Sequence, residues 1–192
     1  MADFETAFEH LIQVEGGYVD DPQDSGGETY KGVARRHHPG WNGWQDIDAA
    51  KDSDDFPDNL DSISRLQQRV KQFYKSQYWD RIAGDRIPDQ TIAEEVFDTG
   101  VNMGMRRAAR FLQESINLLD RNQTPGLVVD GDIGTKTLRA LKSSIAADRS
   151  NRWVVLFLNL FQGQRYIEVL KLNPVNEKFA RGWLKRVQIN SG

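Results

Sequence analysis

Apolar side chains recur at helical spacing over residues 3–14, where Phe4, Ala7, Phe8, Leu11 and Ile12 share a face, and the run ends against Gly16 and Gly17. This pattern predicts a first helix that stops at Glu15. From Tyr18 to Val33 the periodicity gives way to Asp, Gly and Pro, with turn signals at Asp21-Pro22 and Ser25-Gly26-Gly27, so a loop and short β-hairpin are expected. Residues 37–59 are acidic and weakly periodic, which predicts a surface excursion carrying at most short helical turns. Helical spacing then dominates, predicting helices over 60–78, 91–101, 105–118, 135–147, 151–172 and 177–188. Residues 120–134, with Pro125-Gly126 and Asp130-Gly131, interrupt that series. The expected fold class is therefore mainly α, with a short β-hairpin after the first helix. A boundary falls between Trp79 and Thr91, giving regions 1–90 and 91–192, whose apolar helices are expected to share a core as one compact unit.

Composition narrows the function. A chain of 192 residues can bury one sizeable core, and with no Cys it has neither disulfides nor thiolate metal sites or nucleophiles. The longest apolar stretch, Trp153 to Phe161, is interrupted by Asn159 and is about half the roughly 20 residues that a spanning helix needs. A buried core helix without stable membrane insertion is expected there. Residues 1–10 carry Asp3, Glu5 and Glu9 and no apolar run of the secretory type, so accumulation in the cytoplasm is expected. The net charge of -3 hides an asymmetry: the first hundred residues hold ten Lys/Arg against 21 Asp/Glu, and the rest hold fifteen against seven. The basic half suits a polyanion such as a bacterial wall, while the acidic half argues against wholesale nucleic-acid binding. Two solvated faces of one globule account for the charges equally well.

Glycosidic cleavage needs a carboxylic acid kept protonated near neutral pH and usually a second carboxylate that stays ionised. Glu15 ends an apolar helix, where desolvation and the negative end of the helix dipole both favour the neutral form. Asp24, nine residues later, sits in a polar turn-rich loop that favours the ion. Spacing alone does not separate this pair from an ordinary helix end and an ordinary turn residue. Tyr18, Tyr30, Trp41 and Trp44 are candidates to stack on sugar faces, with packing the preferred reading for the two Trp. His37 and His38 read as surface, and with only His10 besides, no metal site is expected. Asp130-Gly131-Asp132 lacks the Glu that a calcium loop requires and reads as a turn before a helix, or as a wall-binding motif.

The stretch V-E-G-G-Y-V-D-D-P-Q-D-S-G-G-E-T, Val14 to Thr29, closely resembles the signature of glycoside hydrolase family 108, muramidases found among phage endolysins and proteins once called secretion activators. F-D-T-G-V-N-M-G, Phe97 to Gly104, resembles that family's second conserved block, continued by L-Q-E-S-I-N. V-D-G-D-I-G-T-K-T-L, Val129 to Leu138, and F-A-R-G-W-L-K-R-V, Phe179 to Val187, resemble its C-terminal peptidoglycan-binding region. The resemblance implies a lysozyme-like helical fold, with catalysis in region 1–90 and wall binding in region 91–192. It also implies hydrolysis of the β-1,4 bond between N-acetylmuramic acid and N-acetylglucosamine, Glu15 as catalytic glutamate, and no metal or organic cofactor. The chain is also similar to the phage-lysozyme pattern of Glu, eight residues, Asp, five residues, Thr, which Glu15 and Asp24 fit. The pattern breaks at its third member, because Tyr30 stands at the Thr position and Thr29 comes one residue early. Thr29 is taken as the third catalytic residue, and Asp24 as a general base that activates water and inverts the anomer.

Asn102 resembles a family residue lining the cleft, and an Asn before a helix-ending turn is equally a cap. With Tyr18 and Tyr30 it completes the expected substrate-binding set. The expected partner is bacterial peptidoglycan, met by a monomer in the periplasm after holin- or secretion-dependent release. A lytic transglycosylase, needing Glu15 but no water-activating Asp, and a non-catalytic wall-binding protein are the alternatives.

Overall fold

The structure, a computed structural model, describes residues 1–13, 16–21, 26–120 and 126–187. Helix α1, Phe4–Ile12, buries Phe4, Ala7 and Leu11, the stripe set by the sequence pattern. A three-stranded antiparallel sheet follows, with β1 at Tyr18–Val19, β2 at Thr29–Tyr30 and β3 at Val33–Ala34. Lys31 and Gly32 take φ of 42° and 76°, the two-residue turn whose twist suits antiparallel strands, and it closes β2 onto β3. Strands this short have little ladder of their own. Side chains supply the rest: Tyr74 Oη donates to Lys31 O at 2.8 Å, and Lys31 Nζ reaches Gln67 Oε1 and Asp61 Oδ1, each at 2.7 Å.

The excursion expected over 37–59 holds a true helix. Helix α2, Gly43–Ala50, buries Trp44, Ile47 and Ala50 at helical spacing, and Asp46 goes in with them at 3% exposure. Arg65 and Arg69 pair with the Asp46 carboxylate, Arg69 at 3.0 Å, and offset the cost of withdrawing it from water. Both come from the next helix, α3 (Ser64–Tyr74), so the acidic segment alone gives no sign that it can be buried. The single helix expected over 60–78 is in fact three pieces, with a 3-10 turn at Asp58–Ser62 before α3 and a π turn at Lys75–Trp79 after it.

By its contacts the chain divides into two compact units, one of Phe4–Gln77 and one of Met1–Asp3 with Tyr78–Gly192. The second unit is built from α4 (Gln90–Met103), α5 (Met105–Leu119), α6 (Thr135–Asp148), α7 (Arg152–Leu172) and α8 (Glu177–Leu184). Asp89 caps α4 by accepting from Ile92 N at 3.0 Å. Gly104, at φ 91°, makes the turn into α5 that a residue with a side chain rarely adopts. Helices α4, α5 and α7 pack on one another around Ile92, Val96, Phe97, Leu112 and Leu158, all buried. The stretch from Trp153 lies in α7, where Val154 and Leu158 are buried while Trp153 and Leu160 remain exposed. Buried Gln113 of α5 pins the Asp130-Gly131-Asp132 turn: its amide donates to Asp130 Oδ1 at 2.7 Å and Asp132 O at 2.9 Å, and accepts from Gly131 N. That turn leads into α6.

A polar seam runs through the same unit. Gln162 Nε2 of α7 donates to Asp98 Oδ2 and Thr99 Oγ1 of α4, each at 3.2 Å, and Arg186 Nη1 meets Asp98 Oδ1 at 2.5 Å. Beside them burial pushes the Glu95 carboxyl up to about 8, with the Asp98 charge adding to the effect. Among the described residues, no helix is long and apolar enough to cross a membrane. The observed architecture is the mainly helical one expected, with its short sheet directly after the first helix.

Candidate functional site

Two of the residues singled out for chemistry, Glu15 and Asp24, lie outside the described residues. The ground between them in sequence is described in part. Gly16 and Gly17 are exposed, and apart from their own chain neighbours no described atom lies within 4 Å of where a side chain would begin on either. A ligand can therefore approach that backbone closely.

The sheet brings Tyr18, Thr29 and Tyr30 together, since Tyr18 pairs with Tyr30 and Val19 with Thr29 across β1 and β2. Half-buried Tyr18 packs edge-on against Phe56 at 4.8 Å, and its Oη donates to Glu28 Oε1 at 3.0 Å. Burial, then the hydrogen bond to the Glu28 carboxylate, pushes the phenol up to about 12, so it is a neutral donor throughout the physiological range. Thr29 Oγ1 donates to Gly27 O at 3.0 Å, within its own turn. Tyr30 is 1% exposed, and its Oη donates to Asp61 Oδ1 at 3.0 Å while accepting from Gln67 Nε2 at 2.9 Å. Its ring belongs to the core of this unit.

Glu28, within the quoted motif but assigned no role from sequence, is the electrostatic centre of the cluster. Its side chain is 10% exposed, with Arg35 Nε at 2.8 Å from one oxygen and Lys51 Nζ at 2.8 Å from the other. Asp48 of α2 shares both cations, and the hydrogen bond from Arg35 holds its carboxyl below the ordinary range. The hairpin is thereby tied to α2, and Tyr18 is aimed by the same carboxylate. Nothing local in the sequence signals this, because the cations lie on later elements.

Asn102 is exposed near the end of α4, where its Nδ2 donates back to Asp98 O at 2.8 Å and Oδ1 at 3.2 Å. Trp44 is buried and donates from Nε1 to His38 O at 2.8 Å, whereas Trp41 is half-buried and edge-on to it at 5.1 Å. His37 is exposed; His38, expected at the surface, is half-buried and edge-on to Phe73 at 4.7 Å. Burial lowers the His38 imidazole below its ordinary value, with His37 contributing. Among the described residues no group of three His, Asp or Glu side chains is placed to hold a metal ion.

A family profile described as Glycosyl hydrolase 108 matches residues 8–104, and one described as Predicted Peptidoglycan domain matches residues 107–188. Among solved structures, SagA of Brucella abortus is similar at 27% identity with a TM-score of 0.62, over 96% of this chain and 88% of that one. No curated protein matches the chain.

Proposed function

We propose, from the premise that this chain belongs to the glycosyl hydrolase 108 family, that it is an N-acetylmuramidase cutting the β-1,4 bond between N-acetylmuramic acid and N-acetylglucosamine. The observation carrying this reading is that one chain joins a family 108 match spanning Glu15 and Asp24 to a peptidoglycan domain over 107–188. A glycosidase with a wall-recognising domain has peptidoglycan as its substrate.

In this reading Glu15 protonates the leaving oxygen and Asp24 activates water on the opposite face of the sugar. Thr29, anchored by its bond to Gly27 O, offers hydroxyl lone pairs to orient that water. Tyr18 contributes to holding the glycan, and Tyr30 steadies the strand that carries Thr29. Action on the wall follows holin- or secretion-dependent release into the periplasm, as for an endolysin.

Mass spectrometry of fragments from purified sacculi tests the reaction. Reducing muramic ends are expected, appearing first as the α-anomer by NMR; 1,6-anhydro ends mean a lytic transglycosylase, and no fragments mean a wall-binding protein. Glu15→Gln keeps the fold and lowers the rate by a factor of about a hundred to ten thousand, because an amide cannot donate a proton as the acid does. A folded Glu15→Gln protein with full activity removes Glu15 from the mechanism.

A further inference from the structure

The unit Phe4–Gln77 contains a second feature that the catalytic reading does not use. An open pocket of about 540 Å³ lies beside α2 and α3, lined by Trp41, Phe73, Arg69, Gln72, Gln77 and the two His among others. That volume is within the range of small-ligand sites. None of the residues assigned to chemistry lines it.

Trp41 is seated as a fixed platform. A Cβ on Gly43 would stand 2.2 to 2.4 Å from the outer atoms of the Trp41 six-membered ring, so the indole occupies the space that a side chain at 43 would take. Trp44 at 5.1 Å and Phe73 at 6.1 Å pack edge-on with it. Around this ring stand amide and hydroxyl groups, Asn42, Gln72, Gln77 and Ser76, able both to donate and to accept. An aromatic ring bordered by amides matches a pyranose, which presents C–H groups on its face and hydroxyl and acetamido groups on its rim.

Charge narrows the ligand further. The unit holds fourteen Asp/Glu against eight Lys/Arg, yet no carboxylate lines this pocket, and its ionisable groups are Arg69, His37 and His38. Arg69 shares Asp46 with Arg65, so the three together leave one positive charge beside the pocket. The geometry points to a glycan-binding site, separate from the residues assigned to chemistry, for an N-acetylhexosamine that carries a carboxylate, as a muramic residue does. This rests on the peptidoglycan reading for where such a sugar would come from.

The test uses the full-length Glu15→Gln protein, so that ligands are not cleaved, and follows the Trp41 indole N–H by NMR. Titration with a muramic-acid-containing disaccharide is expected to shift that signal to saturation, with a tetramer of N-acetylglucosamine binding more weakly. Gly43→Ala should weaken binding about tenfold, since the new methyl displaces the outer edge of the Trp41 ring while a helix gladly accepts Ala. Gln72→Ala, at an exposed position, should weaken it less with the melting temperature unchanged. An unmoved Trp41 signal, or full affinity in Gly43→Ala, overturns the site, and equal affinity for the two sugars overturns the acidic assignment. Hydrolysis of sacculi by the wild type is assayed in parallel. Cleavage without a Trp41 response sinks the pocket alone, whereas a Trp41 response without cleavage leaves the pocket standing and sinks the muramidase reading.

Discussion

Glu28 in the hairpin unit and Glu95 in the helical unit are both carboxyls withdrawn from water, and opposite means keep them there. Glu28 is clamped by Arg35 and Lys51 and receives the Tyr18 hydroxyl. Glu95 Oε1 has no hydrogen-bond partner; a hydrogen bond from Asn159 to the carboxyl favours the ion, but burial and the neighbouring charges of Asp98 and Glu94 outweigh it. The first stays buried as a paired ion and the second as a neutral acid. The hairpin unit, with two-residue strands, has little ladder and uses ions to fasten its loops to α2 and α3. The helical unit has a large apolar interface among α4, α5 and α7, which can carry, in its neutral form, a buried acid that no cation among the described residues pairs with. Where backbone pairing is scarce, charge does the positioning; where packing is ample, a buried carboxyl gives up its charge.

The sharpest break of this contrast is a change in apolar volume. Leu112 is fully buried in α5, so Leu112→Ala should cost about 2 to 5 kcal/mol. Its cost should be the same in 0.1 M and 1 M salt by urea denaturation. A strong salt dependence would mean that the helical unit is held by charge after all.

A smaller effect should follow from Glu95. Folding raises this carboxyl from an ordinary 4.5 to about 8, so the folded chain holds a proton that the unfolded chain has already released between those values. The stability this supplies is whole below pH 4.5 and is lost as pH rises through 8. Between pH 6 and 8 the loss should be roughly 2 kcal/mol, at about 1.4 kcal/mol per pH unit. Glu95→Gln keeps the neutral shape and should flatten that slope, which denaturation midpoints at the two pH values would show. An unchanged slope would place the proton elsewhere.

The smallest effect belongs to the ionic clamp. Glu28→Gln removes the charge facing partly exposed Arg35 and Lys51 and should cost about 1 to 2 kcal/mol at low salt. In 1 M salt, where the screening length falls to about 3 Å, the cost should shrink to a fraction of that. A salt-independent cost would show that Glu28 acts through its hydrogen bond from Tyr18 rather than through its charge.

Much of this architecture was legible beforehand because the helical unit is written in strong periodic stripes. The helices expected over 91–101, 105–118, 135–147 and 151–172 are α4 to α7, with no end shifted by more than two residues. Helix α2 was missed for a physical reason. Asp46 interrupts the apolar stripe of Trp44, Ile47 and Ala50, and it is buried only because Arg65 and Arg69 arrive from α3. A hairpin was legible between Tyr18 and Val33, but not its turn: the signals at Asp21-Pro22 and Ser25-Gly26-Gly27 did not single out Lys31-Gly32, whose positive φ angles close β2 onto β3. The role of Glu28 was not, since its partners Arg35 and Lys51 lie on other elements. Nor was the difference between Tyr18, half-buried beside Glu28, and Tyr30, buried with both sides of its hydroxyl engaged, although the two face each other across the sheet.

The sequence by itself determined what depends on neighbours along the chain: the helical stripes, the glycine-rich turns, the family motif from Val14 to Thr29, and the charge imbalance between halves. Only the tertiary structure decided which carboxyl would be clamped and which protonated, which tyrosine would face its surroundings, and that Trp41 would lie in the space left by Gly43. The reason is that periodicity and turn chemistry act over a few residues, whereas desolvation, ion pairing and ring packing depend on groups brought together from distant positions once the backbone has closed.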